Sequence, residues 1–392
     1  MIYLDNAATT ALHPKVLEAM LPYLSEAYAN PSSVYSPARK VRGAIDDSRK
    51  KIAQAISAQP DEIFFTAGGT ESNNWAIKSV VEAANSMGRG RHIITTTVEH
   101  HAVFHVCEYL TSLGCEITYL PVNSEGFVTA EVLEKAIRPD TCLVSIILAN
   151  NEIGTIVQMT ELGKITKNYK IPLHTDAVQA VGHIPVNVDK LGVDLLSLSA
   201  HKFSGPKGIG ALYVRKGTRI TPMIHGGAQE KNRRAGTENV AGIVGMGIAL
   251  EISIAEMAVE SARVKNLRDT LINEILTTIP HTRLNGAAGA NRLPGNINIS
   301  FRFIEGESLL LHLDMQGIYA STGSACSSGA LEPSHVLMSL GLSHELANGA
   351  IRFSLGRNNT NEDIRKVMDV LRSSVNKLRQ LSPLYDDFLQ KR

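Results

Sequence analysis

Cysteine is scarce in this 392-residue chain: only Cys107, Cys115, Cys142 and Cys326 occur, irregularly spaced and without a CxxC pair. That excludes a disulfide framework and a zinc knuckle, and it fits free thiols in a reducing compartment. An excess of charge of one sign is missing too. Thirty-nine Lys plus Arg stand against thirty-eight Asp plus Glu, a formal net charge of +1, so nothing in the bulk charge argues for nucleic acid or membrane as a partner. The opening residues Met1-Ile2-Tyr3-Leu4-Asp5-Asn6 show no basic region followed by an apolar one, so no signal peptide is read. The longest apolar stretch, 241–258, is interrupted by Glu251 and Glu256, and no membrane span is expected. Neither GxGxxG between strand and helix nor GxxxxGK[ST] occurs, which weakens a dinucleotide or P-loop reading. The expectation is a cytoplasmic protein of two or three domains, at about 150 residues each.

What is present is an alternation of short β-rich apolar runs with longer helical patterns. Strands are predicted over 62–66, 92–97, 116–120, 141–149, 173–176, 195–199 and 209–214, with helices such as 70–84 and 101–113 between them. This is the rhythm of an α/β domain with a mostly parallel sheet flanked by helices. A long helical pattern over 241–276 is expected to bridge to a second region. There 297–303, 318–322 and 351–355 read as strands and 361–378 as an amphipathic helix, which suggests a smaller α+β domain. The division expected is 13–259 for the large domain and 1–12 with 260–392 for the small one.

Several segments carry chemistry. Ser199-Ala200-His201-Lys202 leaves an apolar run and enters Gly205-Pro206-Lys207-Gly208, so Lys202 stands where a strand emerges from the core and could form a Schiff base; a plain surface lysine in a turn is the alternative. Thr66-Ala67-Gly68-Gly69-Thr70-Glu71 runs from a strand end through two glycines into a helix start. Free N–H groups there make a phosphate cup, or else Thr70 is merely a cap. Asp176 ends a buried strand, three residues before Gln179, and could keep a pyridinium nitrogen protonated or serve as a cap or ion-pair partner. His100 opens a helix and suits stacking on an aromatic ring and acid/base work. His101 and His105 have a zinc-like i, i+4 spacing, but no glutamate or further ligand pattern accompanies them, so no metal is expected. Cys326 sits in Ser321-Thr322-Gly323-Ser324-Ala325-Cys326-Ser327-Ser328-Gly329, a run of small residues that suits an accessible nucleophile. Arg352, in the apolar strand Ile351-Arg352-Phe353-Ser354, must be paired, with a substrate carboxylate or an internal one.

Together with Tyr3-Leu4-Asp5-Asn6-Ala7-Ala8-Thr9-Thr10, Asn30-Pro31-Ser32-Ser33, Gly69-Thr70-Glu71-Ser72-Asn73, Glu99-His100, Asn150-Asn151-Glu152-Ile153-Gly154, Arg234-Ala235-Gly236-Thr237 and Leu331-Glu332-Pro333-Ser334-His335, these segments resemble the cysteine desulfurases of the NifS/IscS type. Those belong to the class V aminotransferase group of fold-type I pyridoxal-phosphate enzymes. The resemblance spans nearly the whole chain and departs at Tyr35-Ser36-Pro37-Ala38-Arg39, where relatives usually show a histidine and a glycine. It implies pyridoxal 5'-phosphate bound covalently through Lys202, which later moves the Cα proton. Asp176 would face the ring nitrogen, Gln179 the phenolic oxygen and His100 the ring face. Gly69, Thr70, Ser199 and His201 would bind the phosphate, with Thr237 reaching it from the partner of a homodimer. Asn151 and Arg352 would hold L-cysteine, and Cys326 would take its sulfur as a persulfide, leaving alanine. The sulfur would pass to an acceptor protein such as an iron–sulfur scaffold or a thiolation enzyme. A selenocysteine lyase or other class V enzyme would share Lys202, Asp176 and His100, and a non-catalytic delivery scaffold would need none of them; Cys326 favours the desulfurase.

Overall fold

The computed structural model describes residues 1–322 and 333–390. Thirteen strands occur among them: β1 (Ile2–Tyr3), β2 (Ile63–Thr66), β3 (His92–Thr96), β4 (Glu116–Leu120), β5 (Thr141–Ser145), β6 (Leu173–Asp176), β7 (Leu195–Ser199), β8 (Gly210–Val214), β9 (Thr282–Leu284), β10 (Asn296–Phe301), β11 (Ile318–Tyr319), β12 (Ser321–Thr322) and β13 (Ala350–Ser354). Seven form the main sheet in the order β2-β8-β7-β6-β5-β3-β4. All are parallel except β8, which runs against both β2 and β7.

Successive residues of these strands face opposite sides, as the pleat requires. Phe64, Ile93, Leu143 and Leu195 pack into one core, and Phe65, Ile94, Val144 and Leu196 into the other. Both faces are therefore covered, which is why the strands read as nearly unbroken apolar runs. Trp75, Ile77 and Val81 of α3 (Gly69–Ser86) cover the first face with Val103 and Leu110 of α4 (His101–Ser112). The second face receives Val16 of α1 (Pro14–Ser25), Ile45, Ile52 and Ile56 of α2 (Ser36–Ile56), and Ile243, Met246 and Leu250 of the helix Val240–Thr278.

That 39-residue helix is long and apolar enough to cross a membrane by composition. Its apolar first half is core instead, lying against α1 and α2. Its second half enters a separate core through Val264, Leu267, Leu271 and Ile275. There it meets an antiparallel sheet of order β12-β13-β10-β9 and the helix Asn361–Gln380, whose Ile364, Val367, Leu371 and Val375 point inward at helical spacing.

Two strands differ from the sequence reading. The run 141–149 is a regular strand only to Ser145, although Ile146 and Leu148 still donate to β6 carbonyls, and the side chain of Asn150 then accepts from the Glu152 and Ile153 N–H groups and turns the chain. The run 318–322 divides: Ile318–Tyr319 pairs in parallel with β1, and Ser321–Thr322 pairs with β13. The two halves find different partners, so no single strand spans them.

Candidate active site

Parallel strands bring their C-terminal ends to one edge of the sheet, and the candidate residues follow those ends. Gly69 and Thr70 come after β2, His100 after β3, Asn151 after β5, Asp176 ends β6, and Ser199, His201 and Lys202 stand at and beyond the end of β7.

Gly68 and Gly69 make the turn from β2 into α3. A Cβ on Gly69 would lie 2.6 Å from Val178 Cγ2, and Gly68 has φ +155 with Ser199 Oγ 3.8 Å from its would-be Cβ. Only glycine lets α3 begin this close to the β6 and β7 ends. The helix start presents N–H groups with no carbonyl one turn back, together with the positive end of the dipole. Thr70 is exposed there, and Ser199 is buried beside it. His201 Nδ1 lies 3.2 Å from Thr9 Oγ1; burial, reinforced by Lys202 and Lys207, pushes its pKa down to about 4.

Asp176 is 4% exposed. Its Oδ2 accepts from Asn73 Nδ2 at 2.6 Å and its Oδ1 from the Val178 N–H at 3.0 Å, and no basic side chain forms an ion pair with it among the described residues. The Asn73 Oδ1 is buried with no hydrogen-bond partner. Asn73, one turn into α3, thus orients the carboxylate; only its place on the inward face of that helix hinted at the role.

His100 caps α4, its Nδ1 accepting from the Ala102 N–H at 3.1 Å. Burial holds its pKa below the ordinary histidine value; Asp176 pulls it up and Lys202 pushes it down, so all three groups share one electrostatic neighbourhood. Lys202 Nζ donates to the carbonyls of Ala7 (2.6 Å) and Ala8 (2.8 Å). Gln179 Nε2 donates to the same Ala7 carbonyl at 2.8 Å.

Arg352 is 1% exposed. Its Nη1 donates to the Asn151 carbonyl at 3.0 Å and its Nη2 to Asp5 Oδ1 at 2.8 Å, while its Nε is buried without a partner. The internal carboxylate left open by the sequence is therefore Asp5, and Arg352 still has donor capacity at Nε. Asn151 and Arg352 are brought together, as a shared ligand requires. Thr237 is exposed and lines, with Thr66, Ala67 and Gly208 of its own chain, a cavity of about 220 Å³. Cys326 lies outside the described residues.

Two buried carboxyls near the site stand in segments that carried the resemblance but received no role from the sequence. Glu99 accepts from Thr96 Oγ1 at 2.7 Å and the Ile147 N–H at 2.9 Å, and burial pushes its pKa up to about 8. Glu152 accepts from Ser334 Oγ at 2.5 Å, and burial pushes it up to about 7. His101 stacks on His105 with ring centroids 5.0 Å apart, and among the described residues no group of three or more potential ligands could hold a metal.

A cavity of about 550 Å³ is lined by Lys202 with Tyr3, Thr9, Phe203, Glu256 and Arg357. It contains neither His100 nor Asp176, and none of the orphaned buried side-chain atoms lines it. The chemistry belongs at the strand ends.

There the donor set fits a phosphorylated pyridine aldehyde. A helix N-terminus framed by glycines suits the phosphate, a buried carboxylate with no ion-pair partner among the described residues suits a protonated ring nitrogen, and an amine suits the carbonyl.

Comparison with known proteins agrees. The aminotransferase class-V family matches residues 2–367. A protein named cysteine desulfurase IscS from Dictyoglomus turgidum is 60% identical over 97% of this chain and 96% of its own. Another of that name from Methanosarcina thermophila is 55% identical over 98% and 94%. A solved NifS-like protein superposes with a TM-score of 0.90 at 40% identity, over 96% of this chain and all of its own. The chain belongs to the aminotransferase class-V family, within its cysteine desulfurases of the NifS/IscS type.

Proposed function

We propose that this chain removes sulfur from L-cysteine with pyridoxal 5'-phosphate as cofactor, giving L-alanine and a persulfide on Cys326. The observation that carries the reading is the convergence of Lys202, Asp176 and His100 beside the Gly68–Gly69 turn. The cofactor supplies an electron-withdrawing ring that takes up the electron pair left when the substrate's Cα proton departs.

The residues then have distinct tasks. Gly69, Thr70, Ser199 and His201 hold the phosphate, joined by Thr237 from the partner of a homodimer. Asp176, oriented by Asn73, keeps a proton on the ring nitrogen, and Gln179 faces the phenolic oxygen. His100 covers the ring. Asn151 and Arg352 hold the substrate, Arg352 through its carboxylate, with Arg352 Nε the donor still to be satisfied. Lys202 Nζ would hold the cofactor and, when free, would take the Cα proton. The Cys326 thiolate attacks the substrate sulfur: an S–S bond forms as the Cβ–S bond breaks, the electron pair remains on carbon, and a proton completes alanine. The persulfide passes to an acceptor protein, an iron–sulfur scaffold or a thiolation enzyme, in the cytoplasm. Residues 13–259 form the cofactor-binding domain, and 1–12 with 260–392 the domain carrying Cys326.

The test is release of alanine and sulfide from L-cysteine with a thiol reductant. The parent yields equal amounts of both; Cys326→Ala retains bound cofactor and loses sulfide, and Lys202→Ala loses multiple turnover. Unchanged turnover in either variant contradicts the role given to that residue.

A further inference from the structure

Residues 230–232 follow an unusual path. Glu230, Lys231 and Asn232 have φ of 45°, 59° and 62°, three consecutive non-glycine residues in the left-handed region. L-residues visit that region singly, so a contact outside the turn has to hold this one.

The contact is an ion pair between a buried Glu230 and a half-buried Arg49. Glu230 is 8% exposed; Arg49 Nη2 donates to its Oε1 at 2.7 Å and Nη1 to its Oε2 at 2.8 Å, while Oε2 also accepts from the Phe65 N–H at 3.0 Å. Arg49 Nη1 donates in addition to the Ile63 carbonyl at 2.6 Å, and the guanidinium lies 4.6 Å from the Phe65 ring centroid. One bidentate fork thus joins α2, β2 and the left-handed turn.

Just beyond the turn the chain is fastened again. Arg234 Nε donates to Glu71 Oε1 at 2.9 Å and Nη2 to Oε2 at 3.1 Å; that same Oε2 accepts from the Ala67 N–H at 2.7 Å. The glycine turn 66–70 is therefore gripped on both flanks, at β2 before it and at the first turn of α3 after it. Both grips come from one short segment, which ends in Thr237.

We propose that Arg49 and Glu230 are a positioning pair for the phosphate cup, setting the Gly68–Glu71 backbone through the left-handed turn and the Arg234–Glu71 bridge. This rests on the cofactor reading above. A purely structural role makes a different forecast, because replacing both members of a buried ion pair by apolar residues often leaves stability intact. Such a replacement fills the space but cannot hold the turn.

The experiment uses full-length holoprotein of the parent, Glu230→Gln, and the double variant Arg49→Met with Glu230→Met. It measures the rate at which bound pyridoxal phosphate is released, and the melting temperature of the cofactor-free forms. Glu230→Gln keeps the side-chain shape and an acceptor for Phe65. It should release cofactor about tenfold faster or more, the scale of one charge-assisted hydrogen bond, and its melting temperature should fall because Arg49 is left unpaired. The double variant should also release faster even where its melting temperature recovers. Parental release from Glu230→Gln, or release that merely follows melting temperature across the variants, overturns the proposal. A parent that retains no cofactor overturns the cofactor reading itself, a result distinct from a loaded parent whose variants release normally.

Discussion

Glu99 touches three parts of the site through one residue. Its carboxyl joins the ends of β3 and β5, its carbonyl accepts from His335 Nε2 at 3.0 Å, and it precedes His100 in the chain. With a folded pKa of about 8 against an ordinary 4.5, it is protonated in the fold and ionised in the unfolded chain between those values. The unfolded state then binds fewer protons, so this group's contribution is full below about pH 4.5 and is lost as pH rises toward 8. His174, pushed down by burial to about 3, acts in the opposite sense: it stays neutral in the fold, and stability is lost as pH falls below about 6.5 toward 3. Glu99→Gln removes only the first effect. The melting temperature of the variant relative to the parent should rise steadily from pH 5 to pH 8, and a constant difference would show that Glu99 is ionised in the fold. Lys202, Asp176 and His100 were legible in the sequence because each stands beside a strand end or glycine turn with its own local signature. The contacts of Glu99 and Asp5 were not: the partners of Glu99 include Ile147, and the partner of Asp5 is Arg352, 347 residues away. No local pattern encodes such pairings.

The helix Val240–Thr278 shows how an element serves two cores. Its first turns are rich in glycine, which usually weakens a helix. Here the missing side chains let other helices approach: a Cβ on Gly247 would lie 2.9 Å from Ser48 Cβ and 3.0 Å from Ser48 Cα of α2, and one on Gly245 would lie 2.6 Å from Met20 Sδ of α1. Gly247→Val should therefore lower unfolding stability by about 1–3 kcal/mol despite removing a helix-weakening glycine. Denaturant unfolding measures it, and a stabilised variant would mean that α2 does not come so close. The long helix was readable from its unbroken pattern and the strands from their apolar runs. α2 is harder to see: its sequence is mostly polar and charged, with buried Val41, Ile45, Ser48, Ile52 and Ile56 spaced three or four apart. The split of 318–322 between two sheets depends on β1 and β13, which the segment itself cannot announce.

At the scale of the whole molecule, the apolar side chains Leu17, Leu21 and Leu24 stand 46%, 51% and 63% exposed on α1, with Tyr28 and Val34 beyond them. Large apolar residues clustered on one surface are characteristic of covered faces. With a formal charge of +1, self-association meets little net repulsion. Sedimentation equilibrium should give twice the chain mass of 42.4 kDa, as the proposed homodimer requires; a mass of one chain removes the partner's Thr237 from the site.

Residues 2–8 connect distant parts of this architecture. β1 pairs with β11, Asn6 Nδ2 donates to the Ser354 carbonyl at 2.9 Å across 348 positions, and the Ala7 and Ala8 carbonyls receive Lys202. During synthesis this segment leaves the ribosome long before its partners exist. The main sheet can form on a nascent chain, but the corner that joins Lys202 to Arg352 must wait until β13 has emerged. Closing contacts of such sequence separation is slow as well. The site therefore cannot be complete until nearly all of the chain has been made.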